Sequence, residues 1–586
     1  MLEPQTRATL TEQLRPPTGF ELVHAVGTTF TLGLDTALSV PLAFAARGVA
    51  EQDDPIAILD AVRRAADRID VFAQAGEIAV GTRNNRLVAF LEPMLHPVTI
   101  PTGIFHPKVW FLEFQSGDTS AFRFVCASRN LTSDRSWDVV VSLDGAPGDI
   151  ADAASLEVRN APIVDLLRSL PGFAVVPLVP ERTVRIEGLA ARFARVEWET
   201  PDDLEDLRFH VWQSGAPARP DLSGERALIV SPFLQDGALA TIRGGIRREL
   251  LVVSRSESLN RLSPGTIGGR TSAFVLDAAA DRTEGDGSAH PSVLSGLHAK
   301  VIVVNRERRA RVLLGSLNTT DAALHSNVEV MVELVGSAAK FGVDATRKAL
   351  GDLIVEHTVE PIDEADADDE TGGFLDAVLR AVAGAQMRID VEGDGPYRLR
   401  ASCTDTVPAT DDVAFSWRLL TRADEFREGL PNENGSWIEA VALPDVTPYL
   451  IVTVRDGAGA ERSTVVLADL HGDPDDRLDA VIASHLSTPA DFMRFITLLL
   501  ELDGLGTAGA GAGTAWNTTA GAGGDLGAGL FESLIRSVGA RGRGLADVDR
   551  VVQYLRGRGD TSVLPPGFDE LWASVWEAQR RLEGSR

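Results

Sequence analysis

His106-Pro107-Lys108 and, 192 residues later, His298-Ala299-Lys300 are the two stretches that decide how this chain folds. The residues that follow these two stretches also recur. After each stretch comes a Ser-x-Asn triplet, and after the triplet comes an acidic residue that is followed by an apolar run. These partners are Ser128-Arg129-Asn130 with Asp138, and Ser316-Leu317-Asn318 with Glu329. The order is the same in both copies, so we interpret the chain as carrying an internal duplication whose two halves each contribute to one site.

The lysines in these stretches stand out against the composition of the chain. Of 56 basic residues only four are lysines, and two of those four follow a histidine by two positions. A chain that otherwise uses arginine has a reason to keep lysine where a compact ammonium is needed instead of a planar guanidinium. We therefore expect Lys108 and Lys300 to have functional roles.

The residue types in the two motifs suit phosphate chemistry. Histidine and lysine two positions apart on a strand point to the same face, so each pair can contact one phosphate. Serine and asparagine can donate to phosphate oxygens or orient the histidine, and the acid can hold the other imidazole nitrogen and set its tautomer. Two such half-sites facing each other supply a nucleophile, an acid and two cations. This chemistry requires no metal and no cofactor, and we expect neither.

The paired motif resembles the hallmark of the phospholipase D superfamily over roughly residues 20–345. The resemblance implies that His106 attacks phosphorus to form a phosphohistidine and that His298 protonates the leaving oxygen. It also implies that four residues bind the phosphate, namely Lys108, Lys300, Asn130 and Asn318. Ser128, Ser316, Asp138 and Glu329 are expected to bind substrate or orient the histidines.

The sequence departs from that hallmark at three places. The acidic position that follows each His-x-Lys pair in the family falls on Glu113 and Asn305. Ala127 stands where a glycine precedes the first serine, and the first Lys-to-Ser interval is longer than the second. His325 and Asn327, beside Glu329, are candidates for shaping the site, with a role on a helix or loop surface as the alternative.

The pattern of apolar runs predicts the α/β class. We expect a duplicated phospholipase D-like α/β sandwich, in which short apolar runs alternating with helical stretches form parallel sheets covered by helices. A small β-sandwich and a C-terminal helical domain follow. The predicted boundaries are 1–190 and 191–360 for the two halves, 361–373 for an acidic linker, 374–470 for the β-sandwich, and 471–586 for the helical domain with a Gly/Ala-rich loop at 504–529.

Composition limits the class of protein. No apolar stretch approaches the ~18–20 residues that span a bilayer, and residues 1–30 lack the order of a signal peptide. Two cysteines allow neither a disulfide framework nor a cysteine-based zinc site. We therefore expect a cytoplasmic protein without membrane association. Of the net charge of −28, residues 1–350 carry −7 and residues 351–586 carry −21, so an anionic substrate is expected to bind the front half.

These observations favour a metal-independent phosphodiesterase that acts on nucleic acid, DNA in preference to RNA, as a nuclease of a bacterial phage-defence or restriction system. The acidic back half is then expected to bind protein partners such as a helicase or other defence subunits, and the oligomeric state is left open. One alternative is a phospholipase or other lipid phosphodiesterase. The other is a non-catalytic scaffold that binds nucleic acid or protein.

Overall fold

The structure is a computed structural model of the 586-residue chain. It describes residues 10–44, 65–81, 86–133, 136–201, 203–213, 220–277, 296–360, 369–403, 405, 407, 412–493, 495–496, 544–557 and 561–584. The Gly/Ala-rich loop predicted at 504–529 lies wholly outside these ranges, and of the linker predicted at 361–373 only the part from residue 369 onward lies inside them.

A seven-stranded sheet is built from the first motif and the residues around it, in the order β5-β3-β1-β6-β7-β8-β9. Within this sheet β1 pairs with β3, and β3 with β5, in parallel. The pairings β1–β6, β6–β7, β7–β8 and β8–β9 are antiparallel. The strands are β1 Glu21–Thr29, β3 Ile69–Gln74, β5 Leu95–Val98, β6 Val109–Ser116, β7 Thr119–Ala127, β8 Val140–Pro147 and β9 Val196–Trp198; β2 Leu32–Gly33 and β4 Ile78–Ala79 form a separate short pair.

An eight-stranded sheet is built in the same way around the second motif, in the order β10-β16-β15-β14-β11-β12-β13-β17. Its parallel part is β11, β12 and β13, and the pairings β11–β14, β14–β15 and β15–β16 are antiparallel. The strands are β10 Leu204–Trp212, β11 Gly224–Val230, β12 Ile246–Val253, β13 Thr271–Leu276, β14 Val301–Arg306, β15 Arg309–Gly315, β16 Glu329–Ser337 and β17 Ile354–Glu356.

Both sheets are therefore mixed, and the prediction of parallel sheets was wrong for the strands that carry the motifs. The strand that follows each lysine, β6 or β14, leads directly into the strand that ends just before the serine, β7 or β15. The serine comes 20 residues after the lysine in the first half and 16 in the second. A parallel connection needs a crossover, usually through a helix, for which these intervals leave no room. Each motif consequently sits at one end of an antiparallel hairpin.

The two sheets face each other across one apolar core. It contains Phe111 and Phe124 from the first sheet and Val303 and Val332 from the second. Helices α3 Ala153–Phe173 and α4 Pro180–Phe193 close this core on one side. The remaining helices of the front half are α1 Leu10–Leu14, α2 Leu34–Phe44, α5 Asp236–Gly245, α6 Ser256–Asn260, α7 Asp321–His325, α8 Ala338–Phe341 and α9 Val343–Leu350, with 3-10 turns at Ala66–Arg68, Arg86–Met94, Ile150–Asp152 and Gly351–Leu353.

A buried ion cluster ties α4 to the first sheet. Asp70, which is fully buried, accepts hydrogen bonds from the Nε2 atoms of His24 and His96 at 2.8 Å and from Arg182 of α4 at 2.7 Å. Burial would raise the pKa of Asp70, but the two histidines and the arginine hold it well below its usual range. These two histidines, which no motif includes, therefore have a structural partner.

Residues 387–471 form two four-stranded sheets, ordered β22-β19-β18-β25 and β21-β20-β23-β24, that share one apolar core. The strands are β18 Met387–Glu392, β19 Tyr397–Cys403, β20 Val413–Leu419, β21 Arg427–Glu428, β22 Ser436–Val441, β23 Tyr449–Asp456, β24 Glu461–Leu467 and β25 Asp469–His471, with a 3-10 turn at Leu443–Asp445. Helix α10 Asp369–Ala383 packs on this core and begins inside the range predicted as a linker.

The C-terminal helices return to the front half of the molecule. Helices α11 Arg477–His485, α12 Gly544–Gly557 and α13 Phe568–Gly584, with a 3-10 turn at Thr561–Val563, share a core with the outer face of the first sheet. Arg477 also forms a two-pronged ion pair with the partly buried Glu92, at 2.6 and 2.9 Å. The back half thus packs against the first sheet. None of the described helices is long and apolar enough to cross a bilayer.

Candidate active site

The two motifs meet because each half contributes backbone to the other. The nitrogen of His106 donates to the carbonyl of Val328, next to Glu329, at 3.0 Å. In the matching position the nitrogen of His298 donates to the carbonyl of Trp137, next to Asp138, at 2.9 Å. The segment before each histidine therefore pairs with the segment before the acid of the opposite half. This places the two His-x-Lys pairs at one junction between the sheets.

Each histidine is held by the acid of the other half. His106 Nδ1 lies 2.8 Å from a carboxylate oxygen of Glu329, and His298 Nδ1 lies 3.0 Å from one of Asp138. A carboxylate that accepts a hydrogen bond from Nδ1–H keeps the proton of a neutral imidazole on Nδ1 and leaves a lone pair on Nε2. This is the state that a nucleophile or general base needs. The crossed arrangement makes each histidine depend on both halves of the chain.

The serines of the Ser-x-Asn triplets support these acids. Ser128 donates to Asp138 at 2.9 Å, and Ser316 donates to Glu329; both serines are fully buried. Each hydroxyl also accepts from the backbone nitrogen of the residue that follows the acid, Val139 or Val330. Both hydroxyls are thereby occupied in fixing the carboxylates, which suits the serines to orienting the two histidine–acid pairs.

Two further residues complete the shell around the acids. Ser136 donates to the second carboxylate oxygen of Asp138 at 2.9 Å, and Asn327 donates to the second oxygen of Glu329 at 3.4 Å. Both stand two positions before the acid. Asn327 also accepts from the nitrogen of Ile104, which precedes the first motif. Ser136 was missed by the sequence analysis, although a polar residue at the same offset from both acids was a usable signal.

Both motif lysines are buried and point inward. Lys108 Nζ donates to the carbonyl of His106 at 3.0 Å, and Lys300 Nζ donates to that of His298 at 2.7 Å. Burial lowers the pKa of Lys300 to about 8 and that of Lys108 well below its usual range, and the nearby charge of Lys300 adds to the effect on Lys108. Two ammoniums in one desolvated place are costly unless an anion compensates them, so the cluster is suited to bind a phosphate.

The amide oxygens of Asn130 and Asn318 are buried and lack a hydrogen-bond partner within the part of the chain that the structure describes. A buried acceptor left in this state costs about 1–3 kcal/mol. The same atom is unsatisfied at the equivalent position of both halves, so a donor such as a bound water or a hydroxyl group of a ligand would complete both amides.

The two histidine–acid pairs differ in their electrostatics. Burial and the charges of Lys108 and Lys300 lower the pKa of His106 well below its usual range. Burial also lowers the pKa of His298, but the hydrogen bond to Asp138 partly restores it. Burial raises the pKa of Glu329 to about 8, whereas hydrogen bonds from His298, Ser136 and Ser128 outweigh burial and lower the pKa of Asp138. Asp138 is thus a stable anion, whereas Glu329 binds a proton more tightly than an exposed glutamate does.

The departures from the phospholipase D hallmark lie away from the reacting groups. Glu113 pairs with Arg192 of α4 at 2.6 Å, and Asn305 accepts from the nitrogen of Val343 at the start of α9 at 3.0 Å. Both positions therefore anchor a helix to a motif strand. Ala127 lies in the regular strand β7, whereas a Cβ on Gly315 would overlap the carbonyl oxygen of Val330.

No protein-family model matches the chain, and no curated protein matches it significantly. Solved structures similar to it include phosphatidylserine synthase from Haemophilus influenzae, at 12% identity over 64% of this chain and 90% of that one, with a TM-score of 0.33. Yeast tyrosyl-DNA phosphodiesterase is 11% identical over 56% of this chain and 85% of that one, with a TM-score of 0.32. Polyphosphate kinase from Porphyromonas gingivalis is 13% identical over 55% of this chain and 41% of that one, with a TM-score of 0.29. Because these TM-scores are low, the geometry of the site is the basis on which its chemistry is inferred.

Proposed function

We propose that the protein is a phosphodiesterase of the phospholipase D superfamily that cleaves nucleic acid through a phosphohistidine on His106. The observation that carries the proposal is the crossed pair of histidine–carboxylate contacts beside two buried lysines. A nucleophile, an acid and two cations around one place are the set of groups that displacement at a phosphodiester requires.

In the first step, Nε2 of His106 attacks phosphorus and the bond from phosphorus to the leaving oxygen breaks. The electron pair of that bond goes to the leaving oxygen, which takes a proton from Nε2 of His298. Lys108 and Lys300 stabilise the negative charge on the non-bridging oxygens. The product alcohol departs, and the remaining phosphoryl group is bonded to His106.

In the second step, water attacks phosphorus and the phosphorus–nitrogen bond breaks, which returns the electron pair to His106. His298, now neutral, accepts the proton of the attacking water. Each histidine thus ends in the state in which it began, and the net reaction consumes one water for each diester. His298 acts first as acid and then as base.

The unequal acids support this division of roles. Imidazole becomes cationic when His106 attacks phosphorus, and the Glu329 carboxylate in contact with Nδ1 stabilises that positive charge. Asp138 stays ionised and favours the protonated form of His298, which the acid role needs. With exchanged roles, the histidine whose pKa is lowered furthest would have to donate the proton.

The substrate and the setting complete the proposal. Nucleic acid, DNA in preference to RNA, is favoured because the front half has nearly balanced charge around an inward-facing cationic site. The β-sandwich and the returning helices are additions to the catalytic unit, which fits a component of a bacterial phage-defence or restriction system. Their acidic surface is the proposed binding site for a protein partner such as a helicase.

The test is cleavage of end-labelled single- and double-stranded DNA, RNA and phosphatidylcholine vesicles by the full-length protein with chelator present. We expect nucleic acid to be cut, and the rate to fall steeply with salt because neutralised phosphates release counterions. His106→Ala and His298→Ala should each abolish cleavage, while His471→Ala, an exposed histidine in β25, should not. Hydrolysis of phospholipid without cleavage of nucleic acid at any salt concentration would overturn the assignment.

A further inference from the structure

An aromatic ring lies exposed beside the second half of the site. Strand β11 ends at Val230, which pairs with Val301, the residue after Lys300. The chain continues through Ser231 and Pro232 to Phe233, which is 44% exposed. Large apolar side chains are costly to leave in water. A phenyl ring exposed next to a cationic site is therefore a candidate for contact with substrate.

The ring is held in place by the loop that carries Asn318. Ser231 Oγ donates to the carbonyl of Phe233 at 2.7 Å and accepts from the nitrogen of Thr319 at 3.0 Å. Leu234, on the other side of Phe233, forms a backbone bridge with Thr319. The backbone on both sides of the ring is thus fixed against the second Ser-x-Asn triplet, so the ring is pre-positioned.

Arg255 links the ring to the acid histidine. Its guanidinium lies over the Phe233 ring, 5.0 Å from the centroid. Its Nε atom donates to the carbonyl of Leu297, the residue before His298, at 2.8 Å. Phe233 is therefore two contacts away from the backbone of His298, with a positive charge between them.

The first half has no aromatic residue at the matching position. There Thr29 donates to the carbonyl of Thr31 at 2.8 Å and accepts from the nitrogen of Leu131 at 3.0 Å, which repeats the bonds of Ser231. Thr31 is thus the counterpart of Phe233. The neighbouring Phe30 packs edge-on against the ring of His106, 5.1 Å away. The exposed ring is consequently a feature of the His298 side.

We propose that Phe233 is a stacking surface for the nucleobase on the leaving-group side of the scissile phosphate. The inference rests on the proposed function, in which His298 protonates the leaving oxygen and the leaving nucleotide must lie on its side. Bases stack on aromatic side chains without regard to sequence, and a neighbouring arginine strengthens the contact. Phe233 is then a specificity-determining residue that favours a nucleoside over a small alcohol as leaving group.

The test compares two defined diesters, one whose leaving alcohol is a deoxynucleoside and one whose leaving alcohol is the abasic deoxyribose. Phe233→Leu keeps apolar bulk but lacks a ring face, and Phe233→Trp keeps a ring. The matched control is Phe426→Leu, because Phe426 is also exposed and lies under an arginine, Arg418, in the back half.

We expect Phe233→Leu to lower kcat/KM about tenfold on the base-bearing diester, chiefly through KM, and to leave the abasic diester unchanged. Phe233→Trp should preserve the preference, and Phe426→Leu should change neither substrate. An equal effect of Phe233→Leu on both diesters, or none on either, would overturn the stacking role while the proposed function stands. Wild-type protein that cleaves neither diester would overturn the proposed function and this inference with it.

Discussion

Nδ1 of His106 lies 2.8 Å from a carboxylate oxygen of Glu329, a residue 223 positions later in the chain. The corresponding partner of His298 is Asp138, 160 positions earlier. Neither half therefore holds a complete histidine–acid pair, and the site exists only when both halves are folded together. The acids are consequently the residues at which the proposed mechanism can be tested without touching a histidine.

Replacing either acid should damage the histidine of the opposite half. Asp138→Asn and Glu329→Gln keep the shape but lose the charge that sets the imidazole tautomer, so we expect kcat to fall by about 10²–10⁴-fold in each. Steady-state kinetics on a labelled oligonucleotide measures this, with circular dichroism to confirm the fold. Near-wild-type turnover in either variant would show that the crossed contacts have no part in catalysis.

The pH profile should have an alkaline limb that is set by loss of the proton from His298. The proposed mechanism requires His106 neutral and His298 protonated, and burial lowers the pKa of both, that of His106 further. As pH rises through the lowered pKa of His298, the acid is lost and kcat/KM declines. Lys300, with a pKa of about 8, stays charged through this range.

Asp138→Asn gives this profile a direct check. The Asp138 hydrogen bond and charge raise the pKa of His298, so their loss should move the alkaline limb to lower pH. Glu329→Gln is the matched control, because Glu329 contacts His106 and should leave that limb in place. An alkaline limb that shifts equally in both variants, or in neither, would contradict these protonation roles.

Gly315 should not tolerate a side chain, although its counterpart Ala127 already carries one. A Cβ at Gly315 would overlap the carbonyl of Val330 and displace Ser316 from Glu329. We expect Gly315→Ala to cost about 1–3 kcal/mol in the free energy of unfolding and to lower kcat. Ala127→Gly, in the regular strand β7, should cost about 1 kcal/mol or less and retain activity. Thermal unfolding and steady-state kinetics of both variants test this prediction. Equal losses of stability and of kcat in Gly315→Ala and Ala127→Gly would refute the steric argument.

The catalytic unit should depend on the back half for its stability. Helices α11 to α13 share a core with the first sheet, and the Arg477–Glu92 pair joins them to it. A fragment ending at residue 360 would expose that core to water, so we expect aggregation or a strongly lowered Tm and little activity. Arg477→Ala in the full chain should lower Tm more than Arg455→Ala, which removes an exposed ion pair. A stable, active 1–360 fragment would show that the shared core is dispensable.

The sequence was informative about the motifs because their spacing follows local rules. Histidine and lysine two apart on an extended segment share a face, and the structure places each lysine directly before a strand, β6 or β14. The α/β class followed from the same kind of local pattern, because apolar runs alternate with helical stretches, and the structure contains both strands and helices in each half.

The sequence could not show which distant segments meet. The acids were expected to hold an imidazole, but nothing in local spacing says that Asp138 serves His298 and Glu329 serves His106. The apolar faces of the C-terminal helices must pack against another apolar surface, but the sequence does not identify that surface. In the structure it is the first sheet. The burial that separates the pKa of Glu329 from that of Asp138 is likewise a property of the folded site.

The most direct measurement is the identity of the atom that bonds to phosphorus. The full-length protein and His298→Ala are mixed with a radiolabelled phosphodiester that has a good leaving group, denatured in alkali, digested, and the labelled peptide is sequenced by mass spectrometry. We predict a phosphoryl group on His106, accumulating in His298→Ala because water is no longer activated. Label on His298 in the wild-type protein would reverse the roles, and turnover without any histidine-bound phosphoryl group would contradict the mechanism.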